Sequence, residues 1–212
     1  MQNQKFPDLQ LECQIWESGS VHIAGLDEAG RGAWAGPVSA GAVILPVNKD
    51  ILVTLAGVRD SKRMTPRQRN FWVEKIKTCC LSWGVGFASH QEIDQNGIVP
   101  ATHLAMLRAL AQLSISPQHL LIDALRLPEI ELPQTAIKKG DAKSLSIAAA
   151  SVLAKTSRDT LMIQYGEEMP VYAFECHKGY GTRKHQKALT KCGPCDIHRK
   201  SFAPIAKLLR SE

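Results

Sequence analysis

The chain has no long apolar run, and that absence excludes two broad classes at once. No stretch of its 212 residues approaches the roughly 20 apolar residues of a membrane-spanning helix. The first twenty residues carry Asp8, Glu12 and Glu17, so they do not read as a secretion signal. Internal repeats and low-complexity tracts are also missing, which argues against a solenoid or a disordered tail. A secretion signal being absent, the six cysteines, Cys13, Cys79, Cys80, Cys176, Cys192 and Cys195, read as free thiols of a reducing compartment. A cytoplasmic protein with no membrane partner is expected.

What the chain does have is surplus positive charge, 26 Lys and Arg against 20 Asp and Glu for a net +6, which makes a polyanion the expected partner. Nucleic acid comes first and acidic lipid second. At 44% hydrophobic, the chain can bury one substantial core. Short apolar runs at 21–27 and 37–45, split by a glycine-rich turn, read as two strands, with further strands at 82–88 and 119–123. Residues 129–137 read as a loop or short strand. Helices are expected over 66–80, 99–113, 144–165, 182–192 and 204–209. The fold class is α/β, a mixed sheet flanked by helices with a small helical C-terminal part. We divide it into an extension at 1–20, a main unit at 21–166, and a basic region at 167–212 that packs on it and completes the site.

Four acids fall where turns and strand ends are expected: Asp27 and Glu28 in Gly25-Leu26-Asp27-Glu28-Ala29-Gly30-Arg31-Gly32, Asp123 after Leu121-Ile122, and Asp141 after Gly140. Carboxylates gathered in a basic chain suit divalent cations, because magnesium takes oxygen ligands and keeps several waters. Adjacent strand residues point to opposite faces, so Asp27 and Glu28 share a site only if their strand ends there. Each acid also has a plainer reading: a helix cap for Asp141, a turn for Asp123, a solvated strand end for Asp27 and Glu28.

Along most of its length the chain resembles ribonuclease HII. The opening stretch with Ala35-Gly36-Pro37-Val38, Asp60-Ser61-Lys62, Lys139-Gly140-Asp141-Ala142-Lys143-Ser144, the run 147–155 with Arg158-Asp159, His177-Lys178-Gly179-Tyr180-Gly181-Thr182 with His185, and His198-Arg199 with Ser201-Phe202 carry the likeness. The resemblance implies a ribonuclease H-like fold. It implies cleavage of the RNA strand of RNA–DNA hybrids and nicking of duplex DNA 5′ of embedded ribonucleotides, with 3′-hydroxyl and 5′-phosphate ends. It implies that Asp27, Glu28, Asp123 and Asp141 hold two Mg²⁺ or Mn²⁺ ions, Asp27 with Asp141 on the side of the attacking water and Asp27, Glu28 and Asp123 on that of the leaving oxygen. Gly30, Arg31 and Gly32 would sense the ribose 2′-hydroxyl, and Tyr180 would pack on the following nucleotide. Lys62, Lys143, Lys178, Arg183 and Lys184 are then candidate phosphate contacts. Ala124 stands where the family usually has glycine, so the turn after Asp123 must avoid strongly positive φ or accept strain. Twenty-six residues before Asp27 suit type HII better than type HIII, which carries an extra N-terminal domain.

Two other signals compete. Cys192-Gly193-Pro194-Cys195 spells the motif of thiol oxidoreductases, although seventeen residues after it are too few for that fold. Cys192, Cys195 and His198, with His185 or Cys176, have zinc-ligand spacing but no fixed fourth ligand. A nucleic-acid-binding protein without catalysis is a further alternative. No sliding-clamp peptide is visible in the last residues, and a monomer is expected.

Overall fold

The computed structural model of the chain describes residues 6–210. Its strands are β1 (Ile23–Ala29), β2 (Val38–Ile44), β3 (Ser82–Ala88), β4 (His119–Asp123) and β5 (Gln134–Ile137). Its helices are α1 (Gln10–Glu17), α2 (Ile51–Thr54), α3 (Pro66–Cys79), α4 (His90–Asn96), α5 (Ile98–Ala111), α6 (Leu145–Glu168), α7 (Phe174–His177), α8 (Arg183–Cys192) and α9 (Ala203–Leu209). The sheet order is β3-β2-β1-β4-β5, with β1 antiparallel to β2 and β2 to β3, but β1 parallel to β4 and β4 to β5. The carboxyl ends of the three parallel strands therefore share one edge of the molecule.

Period-two alternation assigns each strand residue to a face. On one face Ala24, Leu26, Ala40, Ala42, Leu120 and Ile122 pack with Ala101, Ala105, Met106 and Ala109 of α5. The other face is closed by α6, with Val43 and the run from Ala148 to Leu153 in a second core that also takes in Val73 and Ile76 of α3. Small residues let α6 sit almost on the sheet backbone. A Cβ on Gly25 would lie 2.3 Å from the Ser146 carbonyl carbon, and one on Gly41 2.3 Å from the Ala150 oxygen. Among the described residues no helix is long and apolar enough to cross a membrane.

Several boundaries differ from the sequence reading. Strand β1 runs to Ala29 rather than ending at Asp27, because its ladder with β2 continues through Asp27↔Gly41 and Glu28↔Ala40. Its ladder with β4, in contrast, stops at Leu26↔Ile122. Helix α6 extends to Glu168, and α1, α2, α4 and α7 are short helices that periodicity missed. In the C-terminal part, Tyr172, Phe174 and Ile197 pack with Ala35 and Met162, joining α6 to the loop after β1.

Gly25→Ala should push α6 off the sheet, because the clash is with helix backbone and not with a movable side chain. Thermal denaturation should show a loss of about 2 kcal/mol or more, a Tm fall of roughly 4–8 °C.

Candidate active site

Asp27 and Asp123 project to the α6 face of the sheet, in phase with Gly25 and Leu121, and stand side by side just past the last β1–β4 pair. Asp27 is 4% exposed, and its Oδ1 accepts the Glu28 amide at 2.7 Å. Burial, followed by the charges of Glu28, Asp123 and Asp141, holds its carboxyl well above the ordinary value, against a Ser151 hydrogen bond that favours ionisation. All three other acids of the predicted set thus act on Asp27. Asp141 lies in a single 3₁₀ turn, Gly140–Ala142, immediately before α6. Burial, then Asp60 and Asp123, push it up to about 6, with Lys62 opposing. Asp123 Oδ1 accepts the Gly140 amide at 2.7 Å, which ties the two acid-bearing turns together.

Glu28 points to the opposite face, so it reaches the site from the rim. Its Oε1 meets Arg31 Nη1 at 3.3 Å, while its Oε2 is buried without a hydrogen-bond partner. Burial raises its pKa and Arg31 works against the rise. Lys62 is surrounded by these acids: burial disfavours its charge, yet Asp27, Asp60, Asp141 and Glu28 hold it above its ordinary value. Asp60 is therefore a fifth acid at the site. In the sequence it was only part of Asp60-Ser61-Lys62, and nothing local distinguished it from a turn residue; its Oδ1 does cap Lys62 N at 2.9 Å.

A cleft of about 730 Å³ is lined by Glu28, the loop 30–32, Lys62, Lys155 and Tyr180; of the four predicted acids only Glu28 lines it. Lys143 is exposed and does not line it. Two buried arginines brace the loop 30–37 through its carbonyls. Arg158 donates to Pro37 O (2.8 Å), Lys178 O (2.9 Å) and Ala35 O (3.0 Å). Arg199 donates to Gly36 O (2.9 Å), Arg31 O (2.8 Å), Gly30 O (2.8 Å) and Pro37 O (3.1 Å). Gly30 has φ of 94°, and a Cβ there would lie 2.0 Å from Arg158 Nε, so only glycine fits. Tyr180 is half-buried with Lys155 Nζ and Arg158 Cζ each 5.5 Å from its ring centre. Lys155 is held in turn by Asp159 at 2.7 Å, which also takes Arg69 at 2.8 Å.

Behind Tyr180 a histidine chain fixes the backbone. His198 Nδ1 accepts the Cys195 amide at 2.9 Å, so its Nε2 carries the proton and donates to His185 Nε2 at 2.9 Å. His185 then donates from Nδ1 to the Tyr180 carbonyl at 3.0 Å. Burial keeps both rings neutral, with pKa values of about 4. Both His198 nitrogens are thereby engaged, leaving no lone pair for zinc. Cys195 is no oxidoreductase nucleophile, because burial raises its pKa, and Cys192 ends a helix instead of starting one.

Among the described residues no group of three or more His, Cys, Asp or Glu side chains is placed so that it could hold a metal ion. An ion held by the four predicted acids would complete its shell with water and phosphate oxygens. Their donors are all oxygens, and Glu28 Oε2 supplies one that nothing in the protein satisfies. Magnesium or manganese fits this set better than zinc.

The sheet order and flanking helices are those of the ribonuclease H-like fold class. The family model described as ribonuclease HII matches residues 24–205. The ribonuclease HII of Synechococcus sp. (strain JA-3-3Ab) is 50% identical over 206 residues, covering 97% of this chain and 92% of that protein. Among solved structures, ribonuclease H2 from Pyrococcus horikoshii OT3 superposes with a TM-score of 0.74 at 26% identity, covering 89% of this chain and 97% of that one. Bst-RNase HIII in complex with Mn²⁺ shares the fold, with a TM-score of 0.63 at 20% identity over 91% of this chain and 70% of that one. The chain belongs to the ribonuclease HII family.

Ala124 adopts φ of 56°, so the turn after Asp123 takes the strained alternative. Ala124→Gly should raise stability by about 1 kcal/mol, a Tm gain of roughly 2–4 °C, with activity retained. Asp141→Asn removes a charge that burial and neighbouring acids disfavour. A carboxylate whose folded pKa is raised stabilises the fold while protonated, and that contribution is lost as pH rises through about 6. In chelator, Asp141→Asn should therefore melt above the parent at pH 8, with the gap closing below about pH 6 in a pH series of melts.

Proposed function

We propose that the chain is a divalent-metal-dependent endoribonuclease in which Asp27, Glu28, Asp123 and Asp141 hold the ions, two of them when substrate is bound. It hydrolyses the RNA strand of RNA–DNA hybrids and nicks duplex DNA 5′ of embedded ribonucleotides, leaving 3′-hydroxyl and 5′-phosphate ends. Removal of misincorporated ribonucleotides and primers in the cytoplasm follows. The observation that carries the reading is that Asp27, Asp123 and Asp141, from three separate segments, act on one another's charge, with Lys62 beside Asp27 and Asp141. Choice of Mg²⁺ or Mn²⁺ is supported by the all-oxygen donor set and by the Mn²⁺ in the Bst-RNase HIII structure.

A bound divalent cation makes water a nucleophile near neutral pH and offsets charge developing on the phosphate and the leaving oxygen. The chain's residues do the rest. Burial and neighbouring acids raise the carboxyls of Asp27 and Asp141, and a cation facing them would favour their ionised forms. Lys62 adds a cation beside them for the incoming phosphate. The braced loop 30–32 offers backbone groups along the cleft to read a 2′-hydroxyl, and its glycines permit close approach to the sugar. Tyr180, with Lys155 and Arg158 nearby, forms a rigid aromatic wall on which the next nucleotide packs. Exposed Arg183, Lys187 and Lys191 follow one another at i, i+4 and i+8 along α8 and extend the basic surface for the duplex backbone.

A duplex containing one ribonucleotide should be cut with Mg²⁺ or Mn²⁺ and an all-DNA duplex left intact. Asp141→Asn should lose cutting by about 10²-fold or more while keeping duplex affinity. Equal cutting of both duplexes would sink the specificity. Binding without cutting by the parent would favour a non-catalytic nucleic-acid-binding protein.

A further inference from the structure

Glu12, on α1, is far in sequence from every residue assigned above, yet its carboxylate is 1% exposed and set against the start of α6. Its Oε1 accepts three donors: Ser144 Oγ at 2.6 Å, Ser146 Oγ at 2.7 Å and Ser146 N at 2.9 Å. Ser144 is the N-cap of α6, and its hydroxyl takes the Ile147 amide at 3.2 Å. The same N-terminal segment also pairs by backbone, with Asp8 N on Lys143 O at 3.3 Å and Leu145 N on Asp8 O at 2.9 Å. Residues 8–12 thus grip 143–146 on both sides of the cap.

The grip is transmitted to the acids through hydrogen bonds. Lys143 N and Ser144 N donate to Gly140 O at 2.9 and 2.8 Å, closing the turn that carries Asp141. The Gly140 amide in turn holds Asp123 Oδ1. A buried carboxylate with one oxygen unpartnered, Glu12 Oε2, is an expensive way to cap a helix when Ser144 already does so. We infer that Glu12 is a positioning residue for the turn bearing Asp141, so that the N-terminal helix is part of the reaction machinery and not an extension beside it. The inference rests on reading Asp141 as a metal ligand.

The test compares the full-length parent with Glu12→Ala and Glu12→Gln on a duplex containing one ribonucleotide, recording kcat, KM, the Mg²⁺ concentration for half-maximal rate, and Tm. Misplacing one acid-bearing turn should cut kcat of Glu12→Ala by about tenfold and raise its Mg²⁺ requirement several-fold, with KM inside about twofold. Glu12→Gln, whose amide oxygen still accepts the three donors, should recover most of both. The inference is overturned if Glu12→Ala lowers only Tm, with kcat and Mg²⁺ requirement inside about twofold of the parent at a temperature where both are folded. It is equally overturned if Glu12→Gln is as impaired as Glu12→Ala. Should Glu12→Ala not fold, Ser146→Ala removes one donor and leaves the cap; a smaller shift in the same direction supports the idea, and none defeats it. Asp141→Asn run alongside separates the two readings, since persistent cutting by that variant would refute the role of Asp141 whatever Glu12 does.

Discussion

Carboxylates brought together away from water repel one another, and much of this structure serves to hold them against that repulsion. Asp27 is fixed by a strand sandwiched between two helices. Asp123 and Asp141 sit on turns tied to each other by one short hydrogen bond. The tight seat of α6 on Gly25 and Gly41 sets where that helix begins, and therefore where Asp141 stands relative to Asp27. Stability given up at the acids is regained in the two cores on either side of the sheet.

Backbone strain follows the same geography. Besides Ala124, the non-glycine residues with positive φ among the described residues are Lys139, Ala173 and Lys178. Ala124 and Lys139 flank the acid-bearing turns, and Ala173 and Lys178 bound α7, next to the tyrosine of the cleft. Strain of this kind persists only where surrounding contacts over-determine the chain. At Lys178 that contact is Arg158 on its carbonyl, and at Ala124 it is the amide bonded to Ile137 O in the neighbouring strand.

Much of this was legible in the sequence where pattern and mechanism are local. Strand β3 alternates cleanly and Ser144 is a conventional helix cap, so both were placed well. The end of β1 was not, because that strand stops for one neighbour and continues for the other, a fact about two ladders that periodicity in one segment does not contain. The order and spacing of the motifs named the acids, but not how Glu28 joins them from the opposite face. Asp60 resembled any turn aspartate until its charge was seen to act on Asp141 and Lys62. Helix α1 escaped notice because its eight residues owe their helicity to tertiary contacts.

Arg158 and Arg199 are counted in the net charge of the chain, yet neither is exposed to solvent, and their hydrogen bonds go to carbonyls. Two of the charges that make the molecule basic on paper therefore never contact a phosphate. Their influence is exerted through a medium of low polarisability, where a field decays more slowly than in water. The loop 30–37 lies between these guanidinium groups and the cleft, so its peptide dipoles are oriented with their carbonyls turned inward. A polyanion in the cleft would meet a wall whose electrostatic character is set from inside the protein and is screened by salt far less than the surface lysines are.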